Sequence, residues 1–386
     1  MKKDLYLLGS TGSIGNSTLK LIRKDKKNFS IKLLTTNTNV KKILKQALEF
    51  NVKKIVIFNK KKFYKFEKNF KRNKISVYFS IEDALKKHKR KSFLTINAIS
   101  GIDGLEPSIN IIKYTRNLAI ANKESIICGW KFLNRELTQN NTNFIPLDSE
   151  HFSIWSLLKN DNIKNVKKIY LTASGGPFLN KKLENIKYIK PKFALRHPNW
   201  KMGKKISIDS ATMMNKIFEV IEAVKIFNLS KNKFQILIHP KSYIHAIVHF
   251  NTGLTKMLAH KTSMEIPIAN VMNLNKYNFI INKNEFDYVK LNGLNFITPD
   301  QKKFPLLKIL NYEFNNTFFE IILVAINDEL VRYYLNNQIS YISIHKIMLK
   351  LLKKRHLAKF FNTSPKNINE IKLMVNKVNS YLKKYI

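Results

Sequence analysis

The three glycines at positions 9, 12 and 15 constrain this chain more than any other feature. They lie between a short apolar strand, Leu5–Leu8, and a helical pattern from Asn16 to about Arg23. Glycine lets such a turn tighten and lets backbone N–H groups approach a pyrophosphate at a helix N-terminus. The spacing is Gly-x-x-Gly-x-x-Gly rather than Gly-x-Gly-x-x-Gly, and the turn's position after a first strand gives it weight; the alternative is a tight turn that binds nothing. Strand and helix patterns then alternate. Ile31–Thr35 reads as a strand, Val40–Phe50 as a helix, Lys54–Phe58 as a strand, Ile81–His88 as a helix, Phe93–Ala98 as a strand, Ile109–Thr115 as a helix, Asn117–Ala121 as a strand and Ser125–Leu137 as a helix. This alternation predicts right-handed crossovers and a doubly wound parallel α/β sheet.

The alternation is expected to break near Phe144–Asp148. Beyond it come a strand at Lys168–Ala173, a helix at Met213–Phe227, and Phe234–His239 leading to Ser242–Phe250 as a strand pair, which is an α+β pattern. Asn273–Pro299 is polar and irregular. From Phe304 the text is helical: Phe304–Tyr312, Phe318–Leu335, Ile342–Lys354 and Ile368–Lys384. At about 150 residues per domain, 386 residues allow two or three domains. The expected division is a nucleotide-binding domain over 1–147, a catalytic domain over 148–272, a linker over 273–299 and an all-α domain over 300–386.

Composition excludes some function classes. The formal net charge is +43, but the lysines are spread along the chain among many Asn, Ile and Phe, and no nucleic-acid-binding signature lies among them. Dispersed charge supports only non-specific contact with nucleic acid. Cys128 is the only cysteine, which excludes an intrachain disulfide framework and fits a reducing, cytoplasmic setting. The apolar run after Asp4 is too short for a signal peptide, and Phe318–Ile326 is too short to span a bilayer, so no membrane association is expected.

Three groups of residues carry chemistry. An NAD-preferring site places an acid at the end of the second strand. Here that stretch is Thr35-Thr-Asn-Thr-Asn39, with no acid, which favours NADP over NAD, while the lack of any cation before Lys41 weakens that preference. Asp148-Ser-Glu150 points two carboxylates the same way if extended, and Glu219 offers a third oxygen donor. Such an all-oxygen set suits Mg²⁺ or Mn²⁺, although spacing alone leaves surface carboxylates or a helix cap as the alternative. Glu222 shares a helix face with Glu219 and reads as its neighbour rather than a ligand. Ser174-Gly-Gly176, Ser210, Asn215 and Lys216 can gather donors on an anion. Taken singly, each of these has an ordinary turn or helix-end reading. The run from His197 to Glu222 mixes His197, Trp200, Met202, small hydroxyls, lysines and carboxylates in a way that suits a pocket for a small oxygen-rich anion beneath a mobile lid.

Together these motifs resemble the 1-deoxy-D-xylulose 5-phosphate reductoisomerase family. The likeness is carried by Gly9–Gly15, Ala121-Asn-Lys-Glu-Ser125, Pro146-Leu-Asp-Ser-Glu-His151, Thr172-Ala-Ser-Gly-Gly-Pro-Phe178, His197 through Glu222 and Ile238-His-Pro-Lys-Ser242. It spans nearly the whole chain and weakens after about Asn251, where Asn327-Asp328 stands near the family's usual Asn-Glu. The resemblance implies a Rossmann-like first domain and a homodimer. It implies NADPH contacts from Thr11, Gly12, Ser13, Ile14, Asn39, Asn122, Glu124 and Gly203. Asp148, Glu150 and Glu219 would hold the divalent metal. Lys123 and Ser149 would meet the sugar phosphate substrate near it, while Ser174, His197, Ser210, Asn215 and Lys216 would hold its phosphate end. Trp200 and Met202 would ride on the lid. The implied reaction is a metal-assisted carbon-skeleton rearrangement followed by hydride reduction. One departure is local: many members carry Gly-Lys before the asparagine at position 39, and this chain has Asn37-Thr38. The other readings are a different metal-dependent NADP oxidoreductase, a non-catalytic binding relative and a basic nucleic-acid-binding module.

Overall fold

The computed structural model describes residues 2–87, 90–200, 202–272 and 288–386. These residues form two compact units. The first holds the described residues up to Ser125 together with Lys131–Phe152 and 264–272; the second holds Ile126–Trp130, Ser153–Ser263 and 288–386.

The first unit is a seven-stranded parallel sheet. In chain order its elements are β1 (Lys3–Leu8), α1 (Ser13–Lys24), β2 (Phe29–Thr36), α2 (Val40–Glu49), β3 (Lys54–Ile57), α3 (Lys60–Arg72), β4 (Ser76–Tyr78), α4 (Ile81–Leu85), β5 (Leu94–Asn97), α5 (Leu105–Ile112), β6 (Asn117–Ile120), α6 (Lys123–Gln139), β7 (Asn143–Pro146) and the start of α7 (Ser149–Leu158). The strand order is β4-β3-β2-β1-β5-β6-β7, with every pairing parallel. β1 and β5 are buried throughout their paired residues Leu5–Leu8 and Leu94–Asn97, as expected of strands covered by helices on both faces. The order reverses between β1 and β5, and a crevice at such a switch point is where open α/β sheets bind their ligands.

The expected doubly wound sheet is present, with corrections at its edges. The helix α3 and the strand β4 have no counterpart in the sequence reading. Only Phe70 of α3 is buried, so its lysines mask the apolar period. The alternation breaks within the expected stretch Phe144–Asp148, but only after one strand that was not expected. Asn143–Pro146 adds β7 as one more parallel strand, in register from Asn117↔Asn143 to Ile120↔Pro146. The helix expected at Ile109–Thr115 instead runs over Leu105–Ile112.

The second unit is built on a four-stranded sheet. It contains β8 (Val166–Ala173), α8 (Pro191–Ala194), α9 (Lys204–Ala211), α10 (Met214–Phe227), β9 (Phe234–Ile238), β10 (Ile244–Phe250) and β11 (Thr255–Ala259). The sheet order is β11-β10-β8-β9. The expected pairing of β9 with β10 is therefore wrong. β8 inserts between them, parallel to β9 and antiparallel to β10. The partner of β10 on its other side is β11, which the sequence reading missed. The chain then returns α11 (Glu265–Val271) to the first unit, against α1, where Lys20 Nζ lies 2.6 Å from Glu265 Oε1.

Most of the expected linker, 273–287, lies outside the described residues. Its remainder includes a bridge from Ile297 to Ile238 at the edge of the second sheet. The helices α12 (Phe318–Leu335), α13 (Tyr341–Leu351), α14 (Arg355–Ala358) and α15 (Ile368–Tyr385) complete this unit, with α12 packed on α9, α13 and α15. The segment Pro305–Asn311 is a 3-10 helix rather than the expected α-helix. No described helix is long and apolar enough to cross a membrane.

Candidate active site

In the first unit the glycine turn leads from β1 into α1. Its tightness depends on Gly15, where a Cβ would stand 2.5 Å from the Ser10 carbonyl oxygen. Gly12 is exposed and is the N-cap of α1 with no side-chain cap, so the first N–H groups of the helix are left for another acceptor. The turn is tied to the end of β2. Gly9 N donates to Thr35 Oγ1 at 2.9 Å, and the Thr11 and Thr36 hydroxyls share a 3.0 Å hydrogen bond. Asn39 caps α2, accepting from Lys42 N at 3.3 Å. Asn122 caps α6 by accepting from Ser125 N, and its amide donates to the Ile99 carbonyl. Glu124 is buried in the first turn of α6.

The same unit prepares an ionised carboxylate. Burial alone raises the Asp148 carboxyl, but the Lys123 ammonium and the hydrogen bond from His151 overcome it and hold Asp148 well below the usual carboxylate range. His151 is fully buried, with Nδ1 3.3 Å from Asp148 Oδ1. Its role was missed in the sequence; the available signal was its place three residues after Asp148 at the start of a helix. Glu150 N donates to Asp148 Oδ1 at 3.2 Å, and Ser149 Oγ donates to Glu150 Oε2 at 2.5 Å. Asp148, Ser149, Glu150 and Lys123 thus stand together.

In the second unit α9 and α10 meet at a sharp turn, with Met213 at φ +64. Ser210 lies just before this turn and Asn215 and Lys216 just after it. The N-cap residue of α10, Met213, makes no side-chain cap, and the positive dipole end of the helix adds to the charge of Lys216. Asn215 Nδ2 donates to Glu219 Oε1 at 2.5 Å, and Lys216 Nζ lies 2.5 Å from Glu219 Oε2. Glu219 and Lys216 are both buried. Gly176, at φ +70, brings the loop after β8 against this turn: a Cβ there would lie 2.8 Å from the Ser210 carbonyl oxygen.

Hydrogen bonds around His197 fix the direction of donation. Its Nδ1 accepts from the backbone N–H groups of Asn199 and Trp200 at 3.2 and 3.0 Å. A neutral ring then carries its proton on Nε2, which lies 2.9 Å from Ser174 Oγ. Ser174 Oγ also accepts from Gly176 N at 3.1 Å. With both acceptor positions filled, the Ser174 hydroxyl has its proton left to donate. Burial, and then the nearby Lys216 charge, push the His197 pKa down to about 4, so the neutral ring is the working form. Asn199, also missed in the sequence, pins this loop by donating to the Pro240 carbonyl at 2.6 Å and to Ser242 Oγ at 2.9 Å. Trp200 stacks edge-on to His245 at 5.9 Å. Met202 and Gly203 follow, with Gly203 as the N-cap of α9.

Comparison with known proteins decides the family. Three family profiles match: 1-deoxy-D-xylulose 5-phosphate reductoisomerase over residues 5–129, its C-terminal domain over 144–227, and the DXP reductoisomerase C-terminal domain over 260–380. The 1-deoxy-D-xylulose 5-phosphate reductoisomerase of Pelagibacter ubique is 50% identical over 373 residues, 96% of each chain. The chain belongs to the 1-deoxy-D-xylulose 5-phosphate reductoisomerase family.

Solved structures of the family agree with this. The Zymomonas mobilis reductoisomerase in complex with NADPH superposes with a TM-score of 0.86 at 29% identity, covering 98% of this chain and 97% of that one. A reductoisomerase in complex with NADPH, fosmidomycin and magnesium superposes with a TM-score of 0.88 at 29% identity, covering 99% and 98%. The Rossmann-like first sheet, the second sheet and the helical C-terminal region are therefore the reductoisomerase fold.

Proposed function

We infer that this chain converts 1-deoxy-D-xylulose 5-phosphate to 2-C-methyl-D-erythritol 4-phosphate, using NADPH and a divalent metal ion, Mg²⁺ or Mn²⁺, in the non-mevalonate route to isoprenoid precursors. Half identity to a named reductoisomerase across nearly the full length carries this reading.

Asp148, Glu150 and Glu219 are the proposed metal ligands. Their chemistry fits: all are oxygen donors, and Asp148 is held ionised by its neighbours. The ion, when bound, supplies Lewis acidity and a template for the substrate's carbonyl and adjacent hydroxyl, and NADPH supplies the hydride. Lys123, which pairs with Asp148, and its neighbour Ser149 are assigned to the reacting end of the substrate. Ser174, with its free hydroxyl proton, joins Ser210, Asn215 and Lys216 in gripping the phosphate, and His197 takes part through the Nε2–H that holds the Ser174 oxygen. That remote grip orients the reacting carbons. Trp200 and Met202 belong to the lid that excludes water from the aldehyde formed by the rearrangement. Thr11, Gly12, Ser13, Ile14, Asn39, Asn122, Glu124 and Gly203 form the nucleotide side. In this scheme residues 1–147 bind the nucleotide, 148–272 carry the chemistry, 273–299 link, and 300–386 support.

The lone, buried Cys128 supports a cytoplasmic setting. The proposed assembly is a homodimer, which light scattering checks as about twice the 45.2 kDa chain mass.

The deciding experiment follows NADPH consumption with the full-length protein. Oxidation is expected only when substrate and Mg²⁺ or Mn²⁺ are both present; folded protein inert under those conditions would overturn the reading. Glu219→Gln is expected to lower kcat by at least about a thousandfold while leaving NADPH affinity within about twofold. Equal loss of both would count against Glu219 as a metal ligand.

A further inference from the structure

The stretch from Thr35 to Leu48 contains no Asp or Glu, and its first cation is Lys41. In a dinucleotide-binding sheet the end of the second strand faces the adenosine ribose, where a carboxylate selects a free 2′-hydroxyl and a cation selects a 2′-phosphate. Positions 37 and 38, Asn and Thr, offer no such cation. The structure supplies one from the next turn. Lys42, half-buried in the first turn of α2, folds its ammonium back onto the glycine loop and donates to the Thr11 carbonyl at 2.9 Å. The Thr11 and Thr36 hydroxyls lie at the same place, 3.0 Å apart. The backbone of Lys42 is itself fixed, since its N–H caps onto Asn39 Oδ1.

A carbonyl oxygen holds an ammonium in place without neutralising it. Lys42 has three N–H donors and uses one. Among the described residues no carboxylate pairs with it. The nearest acid along the chain, Glu49, is held by Arg23 at 2.5 and 2.9 Å. By contrast, Lys41 and Lys45 are exposed, and no described partner anchors them. We propose that Lys42 is the cation that recognises the 2′-phosphate of NADPH, with the Thr11 and Thr36 hydroxyls beside it, in the place of a lysine at position 38. This rests on the reading of the first unit as the NADPH site.

The test is equilibrium titration of the full-length protein with NADPH and with NADH, followed by nicotinamide fluorescence. The variants are Lys42→Ala, Lys42→Arg and Lys41→Ala, each checked for native circular dichroism. Lys42→Ala is expected to raise the Kd for NADPH about 10- to 100-fold and that for NADH less than about twofold, because only a charge-assisted contact to the extra phosphate is lost. Lys42→Arg is expected to keep most of the NADPH preference, and Lys41→Ala to change either Kd less than about threefold. Equal weakening of both nucleotides by Lys42→Ala would show that the side chain only props the loop. An equal effect of Lys41→Ala would show diffuse charge. Either result overturns the proposal. Wild-type protein that binds neither nucleotide would overturn the cofactor reading itself.

Discussion

His197 shows how one residue's surroundings set what its neighbour offers. Two backbone N–H groups point at Nδ1, so a proton there would face two donors. Burial and the Lys216 charge act in the same direction and push its pKa down to about 4. The unfolded chain, with an ordinary histidine near 6.5, binds the extra proton more readily between these values. Stability therefore rises with pH across that window and is lost on acidification from about 6.5 toward 4. An imidazole titration followed by NMR should show a His197 midpoint near 4. His197→Asn should flatten the fall in melting temperature over the same range. A midpoint near 6.5 would mean that burial and the Lys216 charge do not hold the ring neutral.

Among the elements, α10 carries Asn215, Lys216 and Glu219, and its far end is held by a buried ion pair. Lys225 Nζ lies 3.0 Å from Glu320 Oε1 and 2.7 Å from Asn316 Oδ1, with both charged side chains almost wholly enclosed. Burial pushes the Lys225 pKa down and Glu320 opposes it. Glu320 also closes the capping box of α12, accepting from Asn316 N at 2.8 Å and Thr317 N at 2.9 Å. Removing the cation strands a buried carboxylate, so Lys225→Met should cost about 3–5 kcal/mol in chemical denaturation. The double variant with Glu320→Gln should recover part of that loss; full additivity would deny the coupling. This capping box also shows what was legible. The helix α12 was read from the sequence at Phe318–Leu335 by its own apolar pattern, a local signal, and the structure adds the Thr317–Glu320 box that starts it. The glycine turn was legible for the same reason. β7 and the separation of β9 from β10 were not, since strand neighbours are chosen by contacts far along the chain. The same divide runs through the site. The proposed ligands Asp148, Glu150 and Glu219 are candidates by residue type, although spacing alone also fits surface carboxylates or a helix cap. His151, Asn199 and Lys42 act through the atoms they happen to reach, and spacing does not report those.

Across the whole molecule, 69 Lys and Arg face 26 Asp and Glu. The acidic minority is concentrated in fixed pairings, as at Asp148, Glu219 and Glu320, so the excess is positive and spread along the chain. Both proposed small molecules, NADPH and a sugar phosphate, are anions, and a positive field raises their encounter rate. Such a field is screened within about 8 Å at physiological ionic strength. kcat/KM should therefore fall several-fold between low and physiological salt, with kcat nearly unchanged because steering acts on encounter and not on the bound complex. The same charge should draw duplex DNA without regard to sequence and release it steeply as salt rises, following counterion release. Competition between unrelated DNA sequences separates the two readings of this charge. Equal competition is expected of a dispersed field, whereas selective retention of one sequence at physiological salt would show that the lysines include a built nucleic-acid site.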